Sequence, residues 1–410
     1  MKFLDPELNK NTNYKRFWYS QILSFMANQI VMMALGWHLY TLTHSALSLG
    51  YLGLVLFLPQ VFLVLVVGQV ADRYNRRKII LITQCLEAII SLTLCASVVF
   101  DVVSPLWIFI GAICIGSVRA FQGPALQALL PNLVGLDLLP KAIALGSASR
   151  QFATIAGPAL GGLLFLGGTT FVYASSGLLF IIAFTQIFSI RFTEQARPNA
   201  PVTWQILTAG IQFIWQRKVV LGAISLDLFS VLLGGATALL PIYAEQILHV
   251  GALGLGFLRA GPAIGALILA IYLTRYPLQK NAGRTMFICV GIFGITTLIF
   301  GLSEWFFVSL LALIIMGAAD MVSVVIRSTL VQLQTPNEMR GRVGAVNSIF
   351  IGASNQLGEF ESGVTAEWLG VVPAVVMGGV GTLLVVGIWL RLFPELYSWG
   401  KAEQHKPDKI

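Results

Sequence analysis

Charge is scarce in this sequence. Only 11% of its 410 residues are Asp, Glu, Lys or Arg, against roughly 25% in an ordinary soluble domain. That balance excludes a water-exposed globular surface. Enzyme signatures are missing too: the chain has no H-E-x-x-H, no G-x-S-x-G and no G-x-G-D, so no zinc protease, serine hydrolase or intramembrane protease context is present. No phosphate-binding G-x-x-x-x-G-K-[ST] loop occurs, which excludes ATP as an energy source. His38 is the one histidine deep in an apolar stretch, whereas a haem-bearing subunit needs several, so a packing role is expected for it. The four cysteines, Cys85, Cys95, Cys114 and Cys289, sit in apolar stretches without ligand spacing and read as packing residues.

Apolar length is what the chain has. It is 57% hydrophobic, holds 40 glycines and has a mean hydropathy of +0.82. A membrane span takes about 20 mostly apolar residues. That criterion predicts an all-α membrane protein with twelve spans near 17–42, 46–70, 79–100, 106–131, 142–166, 169–190, 219–245, 252–274, 285–303, 305–330, 343–367 and 371–392. Thr43-His44-Ser45 and Gly167-Gly168 mark tight turns between spans. The first dozen residues are polar and no small-residue cleavage site follows, so the first span is expected to be an uncleaved transmembrane helix.

The net charge of +8 does not point to nucleic acid, because the cations cluster between spans instead of along one face. Lys2, Lys10, Lys15 and Arg16, then Arg73, Arg76, Arg77 and Lys78, and later Arg275, Lys280, Arg284, Arg340 and Arg342 all fall on one side of a twelve-span topology. The opposite loops carry no Lys or Arg. The positive-inside rule then places both termini in the cytoplasm.

Residues 191–218 form a seam between residues 1–190 and 219–410. RFTEQARPNAP reads as linker, and Trp204, Leu207, Ile211, Ile214 and Trp215 share one face of an amphipathic interfacial helix. A faint repeat relates the flanking halves: Ala144-Leu145-Gly146-Ser147 matches Ala345-Val346-Asn347-Ser348, and at the same offset Gly157 matches Gly358 and Gly162 matches Gly363. Two six-helix halves related in this way are an architecture of secondary transporters.

GQVADRYNRRKII, residues 68–80, puts five charges in seven positions between two apolar spans. Gly68 allows close helix packing, Asp72 can accept from a helix N-terminus or an arginine fork, and Arg73, Arg76 and Arg77 can bridge neighbouring helix ends. Asn75 suits a tight turn that reaches the left-handed region. This pattern resembles the loop signature of the major facilitator superfamily, with Asn75 where that family has glycine. The resemblance implies a latch in which Gly68, Asp72, Arg73, Arg76 and Arg77 hold the cytoplasmic ends of the two halves together.

Arg119-Ala-Phe121-Gln122-Gly123 is similar to a signature of proton-coupled members. Ala153-x-x-x-Gly157-Pro158-x-x-Gly161-Gly162 resembles the antiporter signature with Ala for its first glycine. Gly352 to Gly363 resembles the subgroup of transmembrane secretion effectors. The resemblance spans nearly the whole chain. It implies a transporter in a bacterial inner membrane that uses an ion gradient and no cofactor, binds a small molecule and works as a monomer. Export is favoured by the antiporter-like motif, with import as the alternative and a membrane enzyme as a distant one.

Ionised groups at mid-bilayer cost roughly 2.5–3.5 kcal/mol each on insertion scales, so those present need a purpose. The family lines its cavity with helices 1, 4, 7 and 10. On them lie Asn28, Gln29, Arg119, Asp227 and Asp320, with Trp37, Phe121, Gln122 and Phe229 as further cavity candidates. Asp227 and Asp320 are the leading expected proton carriers, with Arg119 tuning a nearby carboxylate. Glu359 and Glu361 are two apart and cannot share a helix face, so at most one faces the cavity. Glu87 is expected to be structural, and Arg327 to extend its head to the cytoplasmic interface.

Overall fold

The computed structural model describes residues 6–190, 204–276, 281–336 and 339–400. Among them there is no strand. The helices that follow the predicted spans are α1 (Thr12–Thr43), α2 (Ala46–Arg73), α3 (Arg76–Val99), α4 (Pro105–Gly135), α5 (136–164) and α6 (Thr169–Phe188). Then come α7 (Lys218–Ile247), α8 (Gly251–Arg275), α9 (Ala282–Leu302), α10 (Phe306–Gln334), α11 (Arg340–Leu369) and α12 (Val371–Leu392). Ten of these twelve are long and apolar enough to cross a membrane; α5 and α11 are the two outside that set. Both carry charged side chains along their length, including Arg150 on α5 and Glu359, Glu361 and Glu367 on α11.

The turns form as the residues dictate. His44 takes a left-handed conformation (φ 49°) and its N–H donates to Tyr40 O at 2.7 Å, closing α1. Gly168 at φ 87° ends a 3₁₀ turn over Phe165–Gly167 before α6 begins. Between α4 and α5 no separate loop exists: helical backbone runs from Pro105 to Leu164 and breaks only at Gly135, at φ 73° and ψ 174°. A glycine alone can make that reversal cheaply. In α7 the α-helix stops at Leu233, passes through a 3₁₀ turn at Ala236–Leu239 and ends in a π turn at Tyr243–Ile247.

Asn75 departs from expectation. Its backbone is extended (φ −61°, ψ 118°), and its Oδ1 accepts from Lys78 N at 3.0 Å, so it is the N-cap of α3. The residue therefore supplies an acceptor for an orphan N–H and not a left-handed turn. The seam helix forms over Trp204–Gln216, but its face is divided. Ile214 is buried, whereas Ile211 and Trp215 are exposed, and Gly210 lies against Arg342 O and Val346 of α11. The Trp204 and Leu207 side chains and residues 191–203 lie outside the described parts.

The chain forms two compact units. One comprises residues 1–44, 54–202 and 250–260, the other 45–53, 203–249 and 261–410. Each has its own apolar core. Phe17, Ile80, Leu129 and Ile187 centre the first, and Val220, Met286, Leu330 and Leu396 the second. The first turns of α2 thus belong with the second unit, and those of α8 with the first.

Glycines at the repeat positions explain this packing. A Cβ on Gly363 of α11 would stand 2.7 Å from the Gly50 Cα of α2, and one on Gly162 of α5 would stand 2.8 Å from Ala252 O of α8. Real Cβ atoms do not approach so closely, so both sites admit only glycine without displacement.

Candidate functional site

The buried polar groups of the first unit converge on α1, α3 and α4. Gln84 and Glu87 are three apart on α3, and Arg119 and Gln122 are three apart on α4, so each pair shares a helix face. Gln122 Nε2 donates to Glu87 Oε2 at 2.9 Å and lies 3.4 Å from Ser24 Oγ on α1. Gln84 Nε2 donates to Ser20 Oγ at 2.8 Å, and Ser20 Oγ donates to Ala183 O of α6 at 2.9 Å. Glu87 is 1% exposed, with no hydrogen-bond partner on Oε1. Arg119 and Asn28 are its further polar neighbours. A carboxylate in this setting is held by a neutral amide and watched by one guanidinium. Whether it carries a proton therefore decides the charge of the whole cluster.

Arg119 acts electrostatically on Glu87 of its own unit. Its Nη1 contacts Met32 Sδ at 3.8 Å. Glu87, expected as a structural residue, accepts from Gln122 with Arg119 and Asn28 beside it. No local signal announces that: its partner is 35 positions away on another helix.

In the second unit, Arg327 Nη1 of α10 forms a buried ion pair with Asp227 Oδ2 of α7. Arg327 is 3% exposed, so it does not reach to the interface. A deep carboxylate supplies a better partner than distant headgroups, and pairing removes the cost of two isolated charges. Asp320 lies two turns before Arg327 on α10, half-buried, within electrostatic reach of both Asp227 and Arg327.

The other expected site residues are more scattered. Gln29 Nε2 donates to Thr154 Oγ1 at 3.2 Å, and Gly157 of α5 leaves room for the Gln29 stem. Trp37 packs edge-on to Phe165 at 6.4 Å between ring centroids, and Phe121 packs against the core of the first unit. Phe229 is exposed on one side and tilts against Trp389 at 5.3 Å. Gly161 faces Ile30 and Met33 of α1, and Pro158 is buried, its carbonyl facing Gly256 of α8. Glu359 lies over Gly53, whereas Glu361 accepts from Thr365 Oγ1 of its own helix at 2.8 Å. His38 is buried with Nδ1 3.2 Å from the Tyr173 hydroxyl, a satisfied packing residue.

In the 68–80 stretch, Arg77 donates to Ile187 O at 3.1 Å and Phe188 O at 2.6 Å, and Arg16 donates to Ser189 O. Both cap the C-terminal carbonyls of α6, where a helix end favours cations. Arg76 is buried. The side chains of Gln69, Asp72 and Arg73, and the surroundings of Gly68, lie outside the described parts.

A cavity of about 650 Å³ opens between α1, α4 and α5 within the first unit, lined by Gln21, Phe25, Gln127, Ser147, Arg150 and Thr154 among others. None of these was a candidate from sequence. Among the described residues no group of His, Cys, Asp and Glu could hold a metal ion.

Known proteins match both sequence and shape. The family model described as transmembrane secretion effector matches residues 8–409. The enterobactin exporter EntS of Escherichia coli O1:K1 is 25% identical over 388 residues, covering 94% of this chain and 92% of the exporter. Its counterpart in Shigella boydii serotype 18 is 25% identical over 394 residues with the same coverage. Among solved structures, the nucleoside transporter NupG superimposes with a TM-score of 0.71 at 15% identity, over 93% of this chain and 99% of that one. A bacterial homologue of the iron transporter ferroportin gives a TM-score of 0.71 at 14% identity, over 94% and 99%. These neighbours show the major facilitator fold, and relatives and neighbours alike are transporters, not enzymes. This multi-pass membrane protein belongs to the transmembrane secretion effector family of major facilitator exporters.

Proposed function

We propose that the protein is a proton-coupled exporter that works by alternating access and moves a siderophore-like organic molecule out across the bacterial inner membrane. Siderophore-like cargo follows from relatives named enterobactin exporters. Cytoplasmic termini follow from the one-sided placement of Lys and Arg. The chain works as a monomer without cofactor or nucleic acid, and Asp72 with its arginines latches the cytoplasmic ends.

The observation that carries proton coupling is Glu87 and its amide partner Gln122 beside Arg119. An intramembrane carboxylate with a free oxygen is a group on which a proton changes the local field most. Asp320, beside the Asp227–Arg327 pair, is the second titratable position. The test is proton release from proteoliposomes challenged with a catecholate siderophore, a macrolide and a cationic dye. Wild type is expected to respond to the siderophore, and Glu87→Gln to lose the response while still binding it. An undiminished proton signal in Glu87→Gln removes Glu87 from the cycle. No signal in wild type with any of the three overturns proton-coupled export of these classes.

A further inference from the structure

The cavity between α1, α4 and α5 has an unbalanced lining. Arg150 faces it with amides from Gln21 and Gln127 and hydroxyls from Ser147 and Thr154, and no Asp or Glu lines it among the described residues. Arg150 is exposed to the cavity. Among the described residues it makes no ion pair. Arg119 is a second cation within electrostatic reach of it. Arg119 has Glu87 within electrostatic reach, whereas among the described residues no Asp or Glu lines the cavity beside Arg150, and an uncompensated charge in the membrane interior is costly unless an anion comes to it.

Arg150 is also oriented. Its guanidinium carbon stands 5.0 Å from the centre of the Phe25 ring. A guanidinium that stacks by its face keeps its in-plane N–H donors for another partner, and their fork matches a carboxylate. The cavity volume of about 650 Å³ is in the range of organic-ligand sites, roughly 300–1,000 Å³. It holds far more than a lone inorganic anion, and Phe25 offers a ring surface beside the charge.

We infer that this cavity is a binding site for an amphiphilic organic anion, whose acidic group pairs with Arg150 while its aromatic body lies along Phe25. The assignment rests on the transporter reading and adds the charge of the ligand to it. Gln21, Gln127 and Ser147 supply hydrogen bonds to the remaining polar atoms of such a ligand.

The test uses full-length protein in lipid nanodiscs without any gradient, with empty discs subtracted. Affinities are measured by equilibrium dialysis for 2-naphthoate and for its neutral counterpart 2-naphthamide. Wild type is expected to prefer the carboxylate about tenfold, the worth of a charge-assisted hydrogen bond. Arg150→Gln is expected to abolish that preference, and Arg150→Lys to keep part of it. Equal affinities in wild type overturn the proposal, and so does a carboxylate preference that survives Arg150→Gln. The wild-type pair decides even where a variant fails to fold. Binding without a gradient reads the cavity alone and liposome proton release reads the cycle, so failure of either leaves the other standing.

Discussion

The two units repeat their packing and differ in their chemistry. Gly157 and Gly162 on α5 have counterparts in Gly358 and Gly363 on α11. Each first member faces the opening helix of its half, Gln29 on α1 and Val231 on α7, and each second member faces the start of a helix from the other half. Arg119 and Asp320 are separated by the same 201 positions as Ala144 and Ala345. There the repeat carries a guanidinium on one side and a carboxylate on the other. The first unit holds its acid with an amide, Gln122 to Glu87; the second holds Asp227 with a full charge, Arg327. Close contacts constrain both copies, because a Cβ at any of the four glycines would meet a neighbour at under 3.0 Å. Polar groups are free to diverge, and the divergence separates an adjustable cluster from a locked one.

That contrast is broken first at the locked pair. Asp227→Ala strands the Arg327 guanidinium and is expected to cost about 3–5 kcal/mol, read as a large fall in the thermal unfolding midpoint in detergent. Asp227→Ala combined with Arg327→Leu is expected to recover much of it. Stability equal to wild type in the single variant means the pair is wet and not locked.

Next come the repeated glycines. A Cβ at Gly162 would stand 2.8 Å from Ala252 O, and one at Gly363 2.7 Å from the Gly50 Cα. Substituting either with leucine overpacks a backbone contact at about 1–3 kcal/mol, by similar amounts in the two units. A cost confined to one of them breaks the packing symmetry.

The α3 cap is smaller. Asn75→Ala is expected to cost about 1 kcal/mol and Asn75→Asp almost nothing. Least of all, Glu87→Gln keeps a hydrogen-bonding partner for Gln122 and is expected to stay within about 1 kcal/mol of wild type. A collapse of that variant would make Glu87 as structural as Asp227.

The sequence showed the spans, the glycine repeat and the cation-rich ends, since each is written in local period, fixed offset or loop composition. The sequence placed a break between 131 and 142 but not the helical backbone that continues through it, because Pro131, Asn132, Gly135 and Pro140 read as loop residues. The pairings escaped for another reason: Asp227 and Arg327 are 100 positions apart, and nothing in the neighbourhood of either names the other. The Arg150 cavity arises from three helix surfaces, and Arg150 is 125 positions from the Phe25 ring it stands over. Arg119 with Gln122, and Gln84 with Glu87, were findable as pairs, because a spacing of three puts each pair on one face.

The unpaired guanidinium of Arg150 also bears on energetics. For an organic monoanion leaving the cell as one proton enters, two charge equivalents move inward in each cycle. An inside-negative membrane then contributes about 2.3 kcal/mol per charge for every 100 mV, counted twice. Such a carrier would be driven chiefly by voltage, and collapsing the potential would slow it more than collapsing the pH difference.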